Sequence, residues 1–179
     1  RAAVRKGLLE TKLGIPFRTP AEGHNIAFTS LWDNYPDSLQ IPLQGKASRA
    51  YLLMAGSTNH MQCHIDNGVI RVYYEDGTSD TLSLVNPDNW PPIEQIFFED
   101  GKSFNRHAPS LYRLRLKTGE LSNNFGEELG FTGVSREVDG GAAVLLEMSL
   151  NAGKKLSHLV LETLSNEVVI GIMGITLQR

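Results

Sequence analysis

The chain has 179 residues, enough for one large domain, or one domain with a short appendage, that can bury a core without covalent staples. Hydrophobic content of 41% and charged content of 21% are ordinary globular values, and the net charge of −3 with no Lys/Arg run argues against a nucleic-acid-binding surface. The single cysteine, Cys63, excludes an internal disulfide, and the longest apolar run, residues 168–177, is too short to cross a bilayer as a helix. The sequence opens on Arg1 rather than Met and carries no signal-peptide pattern, as expected of a processed product or, the favoured reading, a piece excised from a longer chain.

Val4, Leu8, Leu9 and Lys12 fall at roughly helical spacing, so residues 1–15 read as a terminal helix or a linker, ended by Gly14 and Pro16. Residues 16–179 read as one β-domain. From Asn25 the period becomes two, with Ile26 and Phe28 alternating with Ala27 and Thr29 up to Leu31 or Trp32. The cluster 33–37 is a turn. Residues 39–43 form a second strand, in which Pro42 favours an edge or a bulge. The dense apolar run 50–55 suits a buried central strand, and residues 61–65 suit another short strand before a turn at Asp66, Asn67 and Gly68.

The segment 68–92 carries the strongest local signal. Ile70, Val72 and Tyr74 alternate with Arg71, Tyr73 and Glu75, and Asp76-Gly77 separates them from a second strand over 78–85. A two-residue turn would pair Val72 with Thr81 and Ile70 with Ser83. A three-residue loop, Glu75-Asp76-Gly77, pairs Val72 with Asp80 and Ile70 with Leu82, and places Tyr74, Leu82 and Leu84 on the face of Ile70. Since a one-residue slip inverts every side chain, the three-residue loop with a left-handed Gly77 is the expected register.

Residues 93–98 form a short apolar stretch. Tyr112, Leu114 and Leu116 alternate with Arg113, Arg115 and Lys117, which reads as a half-buried strand with a basic outer face. Residues 121–139 are rich in Gly and polar groups and carry no clear period. Three strands close the chain: Val144, Leu146, Met148 and Leu150 share a face, Leu159, Leu161 and Thr163 share another, and 168–177 suits a central strand covered on both sides. About nine or ten short strands with almost no helical period predict an all-β, two-layer antiparallel β-sandwich, with jelly-roll topology one arrangement that fits the strand count.

No stretch carries a catalytic motif. His60, Cys63 and His64 lie close together, but on a strand Cys63 would point away from the two histidines, and no second cluster supplies the remaining ligands of a zinc site. His24, His107 and His158 stand alone. Asp33, Asp37, Asp88 and Asp100 are candidate oxygen ligands for a loop Ca²⁺, without a dense Asp-x-Asp pattern to support one. Glu94, Glu99 and Asp100, and Glu127 with Glu128, include no pair whose separation across a sugar can be read from sequence. The aromatics are more informative. Sugars present flat apolar faces ringed by hydroxyls, so an exposed aromatic ring beside Asp, Asn or Gln makes a platform for them. Trp32, Asp33, Asn34 and Tyr35 have that chemistry, as do Asp88, Asn89 and Trp90. Alternatively each Trp closes one end of the sandwich core, its indole N–H donating to a nearby carbonyl.

Three segments carry a family resemblance: 41–47 running into 51–55, 72–78 running into Asn89-Trp90-Pro91-Pro92-Ile93-Glu94-Gln95, and 159–166 followed by 169–177. Together they resemble an uncharacterised family of bacterial β-sandwich domains found beside catalytic domains in large exported glycan-degrading proteins, with a looser similarity to galactose-binding-like and jelly-roll modules. The resemblance spans roughly 16–177. It implies an exported, non-catalytic accessory module of a glycoside-hydrolase-like chain that binds carbohydrate or braces the catalytic domain, without a cofactor. Trp32, Asp33, Tyr35, Asn89, Trp90, Glu94 and Gln95 are the candidate carbohydrate-binding residues. Two other outcomes stay open: Trp90, Glu94 and Gln95 contribute to an active site shared with a neighbouring domain, or the module is structural and binds nothing.

Overall fold

The computed structural model describes residues 4–5, 7–20, 22–94, 107–125 and 137–179. In chain order the strands are β1 Val4–Arg5, β2 Leu8–Glu10, β3 Pro16–Arg18, β4 Ala27–Ser30, β5 Ser38–Pro42, β6 Arg49–Ser57, β7 Asp66–Tyr74, β8 Ser79–Val85, β9 Tyr112–Arg115, β10 Leu121–Ser122, β11 Ala142–Ser149, β12 Leu156–Thr163 and β13 Val169–Gln178. All pairings between these strands are antiparallel. A six-stranded sheet in the order β10-β9-β11-β6-β13-β4 faces a four-stranded sheet in the order β5-β12-β7-β8. Strands β4 and β13, β5 and β12, β6 and β11, and β7 and β8 pair as a nested series. That nesting is one long hairpin folded over on itself, the topology of a jelly roll. Among the described residues no helix is long and apolar enough to cross a membrane.

Period-two patterning decides which residues meet between the sheets. Leu52 and Met54 of β6, Ile70 and Val72 of β7, Val144, Leu146 and Met148 of β11, and Leu159 and Leu161 of β12 all enter one core. The β7–β8 hairpin adopts the expected register, with Ile70 opposite Leu82 and Val72 opposite Asp80. Gly77 takes φ 83°, a left-handed conformation open to glycine at little cost. Asp76 accepts hydrogen bonds from the Thr78 amide at 3.0 Å and hydroxyl at 2.6 Å, and Lys154 lies 2.8 Å from its carboxylate. In β13 the pairing with β6 shifts between Ile172 and Gly174. This bulge keeps Ile170 and Ile172 before it, and Ile175 and Leu177 after it, on the same inner face. Pro42 lies on β5, an edge strand, where its missing donor breaks no ladder.

Four local expectations are corrected. The segment 1–15 is neither helix nor linker where it is described. Its strands β1 and β2 join β3 in a three-stranded sheet laid over the outer face of the six-stranded sheet. Leu9 and Phe17 pack there with Leu53 and Ala55 of β6, Leu114, Ala143 and Leu145, so β6 is covered on both faces. Helical spacing over so few residues fits a strand pair equally well, and tertiary burial decides. Residues 61–65 form a loop with one isolated bridge, Cys63 to Asn86, rather than a strand. The expected turn at 66–68 is the start of β7, because the buried Asn67 side chain donates to Gln62 O at 3.0 Å and Ile65 O at 3.1 Å and closes the preceding loop. Arg113 is buried instead of lying on a basic outer face. It pairs opposite Val144, and its Nη2 donates to Pro92 O at 2.8 Å, Ile93 O at 3.2 Å and Ala142 O at 2.8 Å. Burial pulls its pKa down to about 10, with the charge of Glu94 acting in the opposite direction. Of the apolar stretch 93–98, residues 95–98 lie outside the described residues, and Ile93 and Glu94 form a turn.

Phe17→Ala is expected to cost about 3–5 kcal/mol in chemical denaturation, as for a buried aromatic. A cost near zero would mean that the N-terminal sheet is a detachable appendage. Hydrogen bonds from Lys154 and Thr78 hold the Asp76 carboxyl below its ordinary value of 3.8. A depressed carboxyl contributes stability that is present above the unfolded pKa and lost as pH falls through the folded one. Asp76→Asn should therefore flatten the loss of stability below about pH 4. An acid limb of unchanged slope would contradict the assignment.

Candidate functional site

The loop end of the sandwich that holds the β4–β5, β6–β7 and β8 exits contains most of the candidate residues. The β4–β5 loop is closed on itself: Ser30 N donates to Pro36 O at 3.1 Å and Tyr35 N to Trp32 O at 2.9 Å. Buried Ser30 anchors the loop, with its hydroxyl donating to Val168 O at 2.7 Å and accepting from Trp32 N at 3.4 Å. On this frame Trp32 is 51% exposed and Tyr35 41%, and their ring centres lie 6.4 Å apart. Phe28 meets Tyr35 edge to face, also at 6.4 Å. Asp33 and Asn34, between the two larger rings, are exposed. Phe28 also lines a groove of about 890 Å³ between the N-terminal segment and the six-stranded sheet, bounded by Leu9, Ile26, Leu53 and Met173, with Glu22 and Asn25 among its polar groups. The aromatic surface therefore adjoins the rim of a mostly apolar groove.

The second aromatic candidate is a core residue. Trp90 is fully buried and packs with the sandwich core. Its ring lies over Gly56, where an added Cβ would collide with the Val169 carbonyl oxygen and lie 2.7 Å from Trp90 Cζ2. The indole Nε1 has no hydrogen-bond partner among the described residues, so the expected carbonyl acceptor is missing. Asn89 is committed as well: its Oδ1 accepts from Val85 N at 2.7 Å and its Nδ2 donates to Ser83 O at 2.8 Å. Glu94 has an exposed side chain, and its carbonyl accepts from Val138 N at 2.7 Å. Gln95 lies outside the described residues. The Asn-Trp-Pro-Pro-Ile-Glu motif thus carries the chain from the four-stranded sheet to the six-stranded one, with Ile93 N donating to Gly56 O at 2.9 Å and Ala142 N to Ile93 O at 2.8 Å.

A third feature escaped the sequence. His107 does not stand alone. Ligand atoms of His64, Asp88 and His107 all lie within 4.8 Å of one another. His64 sits in the β6–β7 loop with φ 57°, fixed by its amide donating to Asn86 O at 2.7 Å. Asp88 is half-buried in the loop after β8, and its Oδ1 accepts from His107 N at 2.6 Å. His60 and Cys63, the neighbours of His64 in sequence, are outside this grouping. Of the Ca²⁺ candidates, Asp33 and Asp37 are exposed on the β4–β5 loop, Asp88 joins the histidines, and Asp100 lies outside the described residues. Two connections supply this cluster, β6–β7 giving His64 and β8–β9 giving both Asp88 and His107 from positions 19 residues apart, so no short spacing rule could have found it.

No family model, curated protein or solved structure matches this chain.

The burial of Trp90 gives a direct expectation. Trp90→Ala should destabilise the domain by about 3–5 kcal/mol, and Gly56→Ala should be of comparable severity because the clash is with backbone. Both are read by denaturant unfolding. Full stability in either variant would contradict the packing.

Proposed function

We propose that this domain is a non-catalytic module that binds carbohydrate through the exposed surface formed by Trp32 and Tyr35, with Phe28 at its edge. The observation that carries the reading is the pair of exposed rings held on a hydrogen-bonded loop with Asp33 and Asn34 between them. Aromatic faces stack on the C–H faces of a pyranose, and acidic or amide side chains accept and donate to its hydroxyls. A short closed loop presents these groups with little ordering cost on binding. Trp90 and Asn89 take no part in contact with a ligand, since one is buried in the core and the other is spent on backbone bonds. The resemblance to accessory domains of exported glycan-degrading proteins supports this role, with the catalytic work proposed to lie in a neighbouring domain. No family model supports that resemblance, so the reading rests on the surface itself.

The test is a glycan array followed by calorimetric titration of the best hits. Trp32→Ala and Tyr35→Ala should each weaken binding about tenfold or more, some 1.4 kcal/mol, without loss of folded stability. Saturable binding that survives both substitutions would move the site elsewhere. Absence of binding to any plant, host or microbial glycan would leave a domain that braces its neighbour.

A further inference from the structure

We propose that His64, Asp88 and His107 form a binding site for a divalent transition-metal ion, Zn²⁺ by preference, with one coordination position open to solvent. This inference is independent of the carbohydrate reading.

The donor set favours this class of ion. Two imidazoles and one carboxylate are ligands that zinc and its first-row neighbours accept, and zinc commonly takes three protein ligands plus water. Ca²⁺ requires six to eight oxygens, which this cluster does not offer. Geometry agrees with the chemistry. In a tetrahedral site with bonds of about 2.0–2.1 Å, donor atoms stand about 3.3 Å apart. The three donors here already lie within 4.8 Å of each other, and His107 Nδ1 is 3.9 Å from Asp88 Oδ2. The remaining gap, at most about 1.5 Å, is small on the scale of a rotamer change in the two exposed imidazole side chains.

The surroundings orient the ligands before any ion arrives. The His107 amide donates to Asp88 Oδ1, so this carboxylate is turned with Oδ2 toward the His107 ring. Cys63 bridges to Asn86 and the His64 amide donates to Asn86 O, which fixes His64 beside the loop that carries Asp88. His64 takes a left-handed backbone, uncommon outside Gly although His adopts it more readily than most residues, within the loop that its amide ties to Asn86. The two imidazole rings face one another with centres 4.6 Å apart and planes 32° apart. Both residues are exposed, so core packing does not account for that contact. A bound ion would cross-link the β6–β7 loop, the loop after β8 and the segment that leads into β9.

The test is uptake of Zn²⁺ by the chelator-treated protein, followed by calorimetry and by the visible absorption of the Co²⁺-substituted form. The wild-type protein should take up one equivalent of Zn²⁺ and show the strong visible bands of four-coordinate Co²⁺. His107→Ala and His64→Asn should each weaken binding about 100-fold or more and abolish those bands. Asn tolerates the left-handed backbone at position 64, and circular dichroism checks that each variant is folded. Asp88→Asn keeps the acceptor for the His107 amide and should weaken the ion without disturbing the loop. His60→Ala and His158→Ala should leave binding unchanged. Failure to take up Zn²⁺, or uptake of equal affinity in His107→Ala and His64→Asn, would overturn the site and leave only the contact of His107 with Asp88 beside the tilted His64 ring.

Discussion

The rest of the fold depends on one crossing. After β8 the chain must leave the four-stranded sheet and reach the outer half of the six-stranded one, and Trp90 makes that passage possible by sealing the core as it goes. Gly56 opens the notch that receives the indole, and the Gly56 carbonyl accepts from Ile93. Arg113 then collects the carbonyls of Pro92, Ile93 and Ala142 with a single guanidinium nitrogen. A buried cation is costly by itself, but hydrogen bonds from its guanidinium to three carbonyls offset part of that cost. The crossing and the edge of the sheet are thereby built as one unit.

Function is tied to this unit through the loops it holds. Asn86 and Asp88 precede Trp90, and they reach His64 and His107, so the cluster at this end inherits its geometry from the core. The β4–β5 loop is anchored in a comparable way, by buried Ser30 bonded to Val168 and by Thr163 donating to Thr29 at 2.8 Å across the two sheets. Exposed aromatic and imidazole rings therefore sit on supports that are themselves part of the packed interior. Such rigidity lowers the ordering cost of any ligand these groups meet.

Much of the fold was legible in the sequence where a pattern had one physical solution. The β7–β8 register followed from Gly77 and from the need to bury Ile70, Leu82 and Leu84 together. The runs in β6 and β13 announced central strands because both of their faces carry apolar residues. Other features depended on contacts far apart in the chain. Arg113 occupies an inward position that its charge disguises, since nothing local reveals three carbonyls waiting for it. The strands β1 and β2 are short, and only the six-stranded sheet beneath Leu9 tells them from a turn of helix. Of the proposed sugar-binding residues, Trp32, Asp33 and Tyr35 emerged on the surface, whereas Trp90 and Asn89 belong to the scaffold. A Trp beside Asp and Asn cannot by its sequence alone be told apart as a platform or a plug. The distinction lies in Gly56, on a strand remote in sequence.

The most direct test of this division is fluorescence of the two single-tryptophan proteins, Trp32→Phe and Trp90→Phe. With Trp90 as the sole emitter, emission should be blue-shifted, shielded from acrylamide and indifferent to added glycan. With Trp32 alone, emission should be red-shifted, readily quenched and altered by the glycan that binds. The reverse pattern, or a glycan response from Trp90, would contradict the account.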